Sequence, residues 1–176
     1  MTENALQVQD RLAAFRAKIQ EFGLDGYLVP RTDGYQNEFL AAYAERLKFL
    51  TGFTGSAGTA VILRSKAVVM SDGRYTIQLE QEVNLALFET ADSTKTTPAD
   101  WLQNNTAQGQ RIGFDPWLHT ASQIENLTKK LDGKAVLVPV SPNMVDAVWP
   151  NRPGQPMNPA ELFPDEVAGM NSAQKR

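Results

Sequence analysis

The sequence predicts an α/β domain, a mixed β-sheet flanked by helices, and three observations carry that expectation. Segments with apolar residues three and four apart alternate with short continuous apolar runs, the pattern of helices laid over a buried sheet. Two of those runs, Thr59–Leu63 and Ala67–Met70, are parted only by Arg64-Ser65-Lys66 and read as a hairpin, so part of the sheet is antiparallel. Helix starts carry their caps in plain view: Thr97 before Pro98, and Thr120 with Gln123 three residues on. At 176 residues, 42% hydrophobic and 21% charged, the chain is long enough to bury one core of ordinary size.

Taken in order, Leu6–Phe22 places Val8, Leu12, Phe15, Ile19 and Phe22 on one helical face. Asn4 is the expected cap, with Gln7 as its capping-box partner, and Gly23 the stop. Gly26–Val29, closed by Pro30, suits a buried strand. Arg31–Gly34 is a turn, and Asn37–Tyr43 is expected to form a helical turn. The stretch from Arg46 to Tyr75 holds the hairpin. It opens with an amphipathic run (Leu47, Phe49, Leu50) and passes through Gly52, Gly55 and Gly58, where a missing Cβ permits unusual backbone or close approach. It ends on Asp72-Gly73-Arg74-Tyr75.

Beyond that corner, Tyr75, Leu79 and Val83 fall four apart and predict a helix over Thr76–Val83, with the Asp72 carboxylate placed to cap its free amides. Leu85–Glu89 reads as a strand. A helix starts at Thr97-Pro98, carries Trp101 and Leu102, and ends before Gly109. Arg111–Phe114 is a strand and Thr120–Leu131 a helix with Ile124, Leu127 and Leu131 inward and Lys129 and Lys130 in its last turn. Ala135–Val140 reads as a buried strand and Asn143–Trp149 as a short helix. Five prolines between Pro150 and Pro164 then mark residues 150–176 as a linker or extended arm, separate from a domain over 1–149. Ser172, with Lys175 and Arg176 behind it, reads as the first turn of a further helix, so the chain is expected to be a piece of something longer.

Composition removes several functions. A net charge of −3 argues against a nucleic-acid surface. With no cysteine there is no disulfide, thiolate nucleophile or Cys-ligated zinc, and His119 as the only histidine rules out a multi-His metal site. The N-terminus is polar and acidic, unlike a signal peptide, and no apolar run reaches the ~20 residues of a membrane span, so a cytoplasmic protein with no membrane partner is expected.

The motifs that invite chemistry have plainer readings. The glycine loop lacks the Gly-Lys-Ser/Thr ending of a phosphate loop and precedes a strand where such loops open a helix. Ser56 is not a nucleophile elbow, because Thr54 stands where the first glycine belongs. Asp33, Asp72, Asp115 and Glu38 suggest a two-metal cluster, yet each Asp sits at a turn or cap. His119 reads as a surface polar residue, and Trp101, Trp117 and Trp149 as core or interface anchors. Arg74 is read first as a partner for Asp72 and otherwise as a group facing a cleft.

FLTGFTGSAGTAVI and SDGRY, with Asn37-Glu38-Phe39 upstream, resemble the N-terminal domain of cytosolic-type Xaa-Pro aminopeptidases (aminopeptidase P). The opening helix through GLDGYLVP, Arg111–Pro116, Val138–Val140, Asn143–Trp149 and Arg152-Pro153 fit the same domain. The resemblance implies the creatinase/prolidase N-terminal fold, a ribonuclease H-like arrangement. It implies a longer enzyme whose pita-bread catalytic domain holds two divalent ions, typically manganese, on two Asp, one His and two Glu. Those ions activate water to cut before proline. No ligand in that set has a counterpart here, so this chain is expected to be non-catalytic, with no metal or cofactor of its own. Its expected partners are the remaining domains, a peptide with proline second, and a second copy in a homodimer of the full enzyme. Asp72, Arg74 and Tyr75 are the candidate residues at the active-site mouth. The rival reading is a free-standing interaction module on the same fold. A small metal-dependent nuclease or a serine hydrolase is a distant third.

Overall fold

The computed structural model describes residues 3–176, with side chains from Gln7 onward. The expected Asn4 cap falls outside the described side chains; the backbone of the first helix, α1, spans Glu3–Glu21. Val8, Leu12, Phe15 and Ile19 are all buried along its inner face, but Phe22 is 47% exposed. The reason is the helix stop. Gly23 takes φ +64°, its amide donates to the Gln20 carbonyl, and the Leu24 amide donates back to Ile19. This left-handed cap swings the chain so that Leu24, not Phe22, enters the core.

β1 (Gly26–Pro30) follows, then a loop to α2 (Arg46–Thr51). The loop is not helical over Asn37–Tyr43; only a 3-10 turn at Ala42–Ala44 appears. Asp33 decides this, since its buried carboxylate accepts from the amides of Tyr35 and Asn37 and from Asn37 Nδ2, at 2.9, 3.0 and 2.9 Å. β2 (Thr59–Leu63) and β3 (Ala67–Ser71) form the expected hairpin, and α3 (Thr76–Glu82) returns over it. β4 is Glu89–Asp92 rather than Leu85–Glu89. Asn84 bends the chain first: its side chain accepts from the Ala86 amide and its carbonyl from Leu87 and Phe88. Leu85 is thereby left in solvent and Phe88 becomes the buried residue.

α4 (Pro98–Asn105) and α5 (Ala121–Leu131) both start with complete capping boxes, Thr97/Asp100 and Thr120/Gln123. Between them lies β5 (Gln110–Phe114), and after them β6 (Ala135–Pro139). β6 is an edge strand, half-exposed rather than buried, because only β5 pairs with it. The helix expected over Asn143–Trp149 shortens to α6 (Met144–Ala147), capped by the Asn143 side chain. α7 (Asp165–Ala168) is a single exposed turn, and residues 172–175 form one more turn, capped by Asn171.

The six strands lie in the order β4-β3-β2-β1-β5-β6. Every neighbouring pair is parallel except those made by β2, so β2 alone runs against the rest. Alternation along the strands separates two apolar layers. Tyr27, Val29, Ala60, Ile62 and Val69 face α1, α2, α3 and α6, while Leu28, Val61, Val68, Met70 and Ile112 face α4 and α5. Trp101 fills the second layer, its indole N–H donating to Glu89 at 2.9 Å; Trp149 stacks on Phe49 at 4.4 Å, and Trp117 is exposed.

One polar contact ties distant parts of the chain. Buried Arg46 of α2 forks onto Asp146 of α6 through Nε at 2.7 Å and Nη2 at 3.0 Å. Arg152 adds Nη1 to the same carboxylate at 3.1 Å and gives Nε to the Tyr43 carbonyl at 2.9 Å. Past Pro153 the chain is exposed and lacks regular structure until α7.

Candidate functional site

Five parallel strands end on the same edge of the sheet, and the loops leaving them share that edge with the glycine loop entering the reversed β2. The corner Asp72–Tyr75, which leaves β3, therefore meets Ser56 from the loop before β2, and Arg31 from the loop after β1 holds that same Ser56.

Glycine makes this crowding possible. Gly52 ends α2 at φ +84°, and a Cβ on Gly55 would fall 2.2 Å from Cζ of the Phe53 ring. A Cβ on Gly58 would lie 3.1 Å from Leu47, Met70 and Phe53 alike. With that space left open, Phe53 meets Tyr75 edge-on at 6.1 Å and 87°. The Tyr75 hydroxyl shares a 2.5 Å hydrogen bond with Ser56 Oγ. Arg31 Nη1 donates to the carbonyls of Ser56 and Glu38 at 2.9 and 3.0 Å, and its Nη2 to Glu45 at 3.2 Å, so one guanidinium pins three loop segments. Thr54 bonds Glu82 through its amide and its hydroxyl, both at 2.7 Å, locking the loop to α3. Burial pushes the Glu82 carboxyl upward, but these bonds and one from Gln78 outweigh it and hold the group below the usual range.

Asp72 does not cap α3 as its position suggests: Tyr75 occupies the cap and no side chain accepts there. Instead the Asp72 carboxylate accepts from Arg74 Nε and Nη2 at 2.9 and 2.8 Å and from the Arg74 amide at 3.0 Å. Two residues apart in a turn, the pair is closed by the turn itself. The Arg74 side chain and then its amide draw the Asp72 carboxyl down to about 2, and Asp72 in turn pushes the guanidinium above its ordinary value, aided by Tyr75 and Glu38. Arg74 lies 5.2 Å over the Tyr75 ring and remains exposed. The corner thus presents a fixed, permanently charged guanidinium to solvent, suited to a carboxylate or carbonyl oxygen. It contains neither a base nor an activated nucleophile.

The other sequence candidates go elsewhere. Asp33 and Asp115 are buried turn residues; Asp115 accepts from the Trp117 amide and from Asn143 Nδ2 at 2.9 and 2.8 Å. Burial raises the Asp33 carboxyl, while its bonds from Asn37 and Tyr35 lower it further. Among the described residues no three His, Asp or Glu side chains gather so as to hold a metal ion, and no helix is long and apolar enough to cross a membrane. The donor set therefore does not fit a metal pair. His119 is half-buried rather than a fully exposed surface residue: its ring packs edge-on against Phe114 at 5.7 Å, and burial, opposed by Asp115, lowers its pKa. Sequence reasoning missed Arg31 and the Arg46–Asp146–Arg152 cluster. Neither carries a local signal, since the partners stand up to 100 residues apart.

Comparison with known proteins agrees with this architecture. Residues 11–148 match the model of the Creatinase/Prolidase N-terminal domain. A probable Xaa-Pro aminopeptidase P of Pyricularia oryzae is 34% identical over 97% of this chain, and Arabidopsis thaliana aminopeptidase P2 is 33% identical over 96%. The chain spans only 28% and 25% of those two proteins. Among solved structures, X-prolyl aminopeptidase of Caenorhabditis elegans, described as a cytosolic enzyme with a di-nuclear active site, superposes with a TM-score of 0.83 at 29% identity. That match takes in 96% of this chain and 29% of the enzyme. The isolated N-terminal domain of Mycobacterium tuberculosis PepQ shares the fold at a TM-score of 0.60 and 23% identity, matching 79% of this chain and 98% of that one. The chain belongs to the creatinase/prolidase N-terminal domain family.

Proposed function

We propose that this chain serves as the non-catalytic N-terminal domain of an Xaa-Pro aminopeptidase, and that the Asp72-Arg74-Tyr75 corner faces the mouth of that enzyme's active site. The observation that carries the reading is the likeness to proteins named as such aminopeptidases over 97% of this chain, at about a quarter of their length. In this reading residues 1–149 are the domain and 150–176 an arm leading to the next one. The metal pair, manganese by family resemblance, belongs to the catalytic domain, which leaves this chain to contribute shape and charge. The description of the nematode enzyme as cytosolic supports a cytoplasmic setting.

Arg74 is the functional residue of the corner. Its guanidinium is oriented by Asp72 and exposed, so a peptide carbonyl or terminal carboxylate can reach it without first breaking a fold contact. In the longer enzyme, Arg74→Ala should lower kcat/KM for Xaa-Pro peptides by about tenfold or more, the worth of one charge-assisted hydrogen bond. The chain by itself should cleave nothing when manganese is added. Unchanged kinetics with a normally folded Arg74→Ala enzyme would refute the mouth assignment; manganese-stimulated turnover by the purified chain would refute the non-catalytic reading.

A further inference from the structure

The chain leaves β1 toward β2, β3 and β4 on one side of the sheet, then returns to start β5 and β6 on the other. The boundary between β1 and β5 is therefore the point where strand order reverses. In open α/β sheets the loops leaving the strands part at such a point and open a crevice at their carboxyl ends, the usual place for a ligand. This chain has that crevice. A cavity of about 570 Å³, within the range of small-ligand pockets, lies between Pro30–Thr32 leaving β1 and Leu118–His119 leaving β5.

The walls carry unused hydrogen-bonding capacity. Both residues line the cavity and Arg31 is nine-tenths buried, with Arg31 Nε and His119 Nε2 lying beneath the wall, each without a partner, so a ligand meets them once those two side chains turn toward the cavity. Buried polar atoms seldom go unpaired. Arg31 Nε can only donate, while a neutral imidazole offers Nε2 in either sense. Around them stand four carboxamides, Gln36, Asn37, Gln123 and Asn126; Gln123 Oε1 is held by the Thr120 amide, Asn37 Nδ2 by Asp33 and Gln36 Nε2 by the Asp33 carbonyl, which leaves the Gln123 amide hydrogens and the Asn37 and Gln36 side-chain oxygens to meet a ligand. The floor is apolar, made by Leu28, Leu118, Ile124 and Leu127.

Charge decides the ligand class. The charges on the wall cancel, Arg31 being paired with Glu45 at 3.2 Å and Lys130 matched in formal charge by Glu38. A phosphate or other small anion would find no net attraction. An amide backbone with an apolar side chain matches donor, acceptors and floor together. We propose that the β1/β5 crevice binds a short extended peptide segment, with a backbone carbonyl taken by Arg31 and His119, the strand edges read by the carboxamides, and an apolar side chain seated on Ile124 and Leu127. This site is separate from the Arg74 corner and stands whether or not the chain serves a peptidase.

The test is a two-dimensional amide NMR titration of the chain with acetyl-Leu-Ala-Leu-amide. Saturable shifts are expected at Thr32, His119 and Leu127. Asn126→Trp, at an exposed rim position, should fill the crevice and weaken binding at least about tenfold, and His119→Ala should weaken it severalfold, with both variants keeping a dispersed spectrum. Absence of saturable shifts, or shifts centred on the Arg74 corner, would overturn the proposal. So would acetyl-Gly-Ser-Gly-amide binding equally well, or inorganic phosphate or acetate moving the same amides more tightly than the peptide.

Discussion

Replacing Asp146 by Asn is the sharpest test of what holds this domain together. Asp146 receives a two-pronged bond from Arg46, whose side chain is only 8% exposed, and a third bond from Arg152. Asn keeps the volume and one acceptor oxygen but removes the charge, leaving two guanidinium groups side by side with no counter-ion. Removing one partner of a buried ion pair costs about 3–5 kcal/mol because the other charge stays behind. Asp146 is 22% exposed, so water relieves part of that cost, and the expectation is about 2–4 kcal/mol. For a chain of this size that corresponds to a fall in Tm of roughly 5–15 °C. Urea unfolding should show a lower midpoint with an unchanged m-value, since the surface exposed on unfolding is the same. Arg46→Met combined with Asp146→Asn should be less damaging than the sum of the two single changes by more than about 1.5 kcal/mol, because the stranded charge is gone. A loss below about 0.5 kcal/mol for Asp146→Asn, or strict additivity in the cycle, would refute the reasoning and reduce the cluster to a surface ornament.

Two further outcomes follow from the same physics. Burial holds His119 below the ordinary histidine value near 6.5, so the folded chain resists a proton that the unfolded chain accepts. Its contribution to stability is complete above about pH 6.5 and is lost as pH falls toward the folded pKa; the ring-proton NMR titration of this single histidine should have its midpoint below 6.5, and a midpoint at or above that value would contradict the burial seen here. Gly55→Ala should cost about 1–3 kcal/mol, because the new methyl must displace Phe53 and with it the edge-on contact to Tyr75; chemical denaturation giving a loss under ~0.3 kcal/mol would mean the glycine loop tolerates a side chain that its packing forbids.

The sequence by itself determined the layers of this domain, because layers follow from periodicity. The apolar face of α1, the two runs of the hairpin and the caps at Thr97 and Thr120 are local signals, and each folds where it is written. It also held the family: the resemblance read from SDGRY and FLTGFTGSAGTAVI agrees with the family match over residues 11–148, which contain both strings. It misled wherever a turn residue outbid an apolar run: Asn84 moved β4 four residues on, Asp33 kept Asn37–Tyr43 out of a helix, and the cap at Gly23 exchanged Phe22 for Leu24. Asp72 was read in two roles: its pairing with Arg74 holds, while its capping of α3 does not, because the nearest guanidinium competes better for a carboxylate than amides one turn away. Only the tertiary structure decided the rest. That Arg46 meets Asp146, that Arg31 joins three loops, and that Arg31 and His119 line one crevice all depend on strand order. Strand order is set by long-range pairing, which no local pattern encodes.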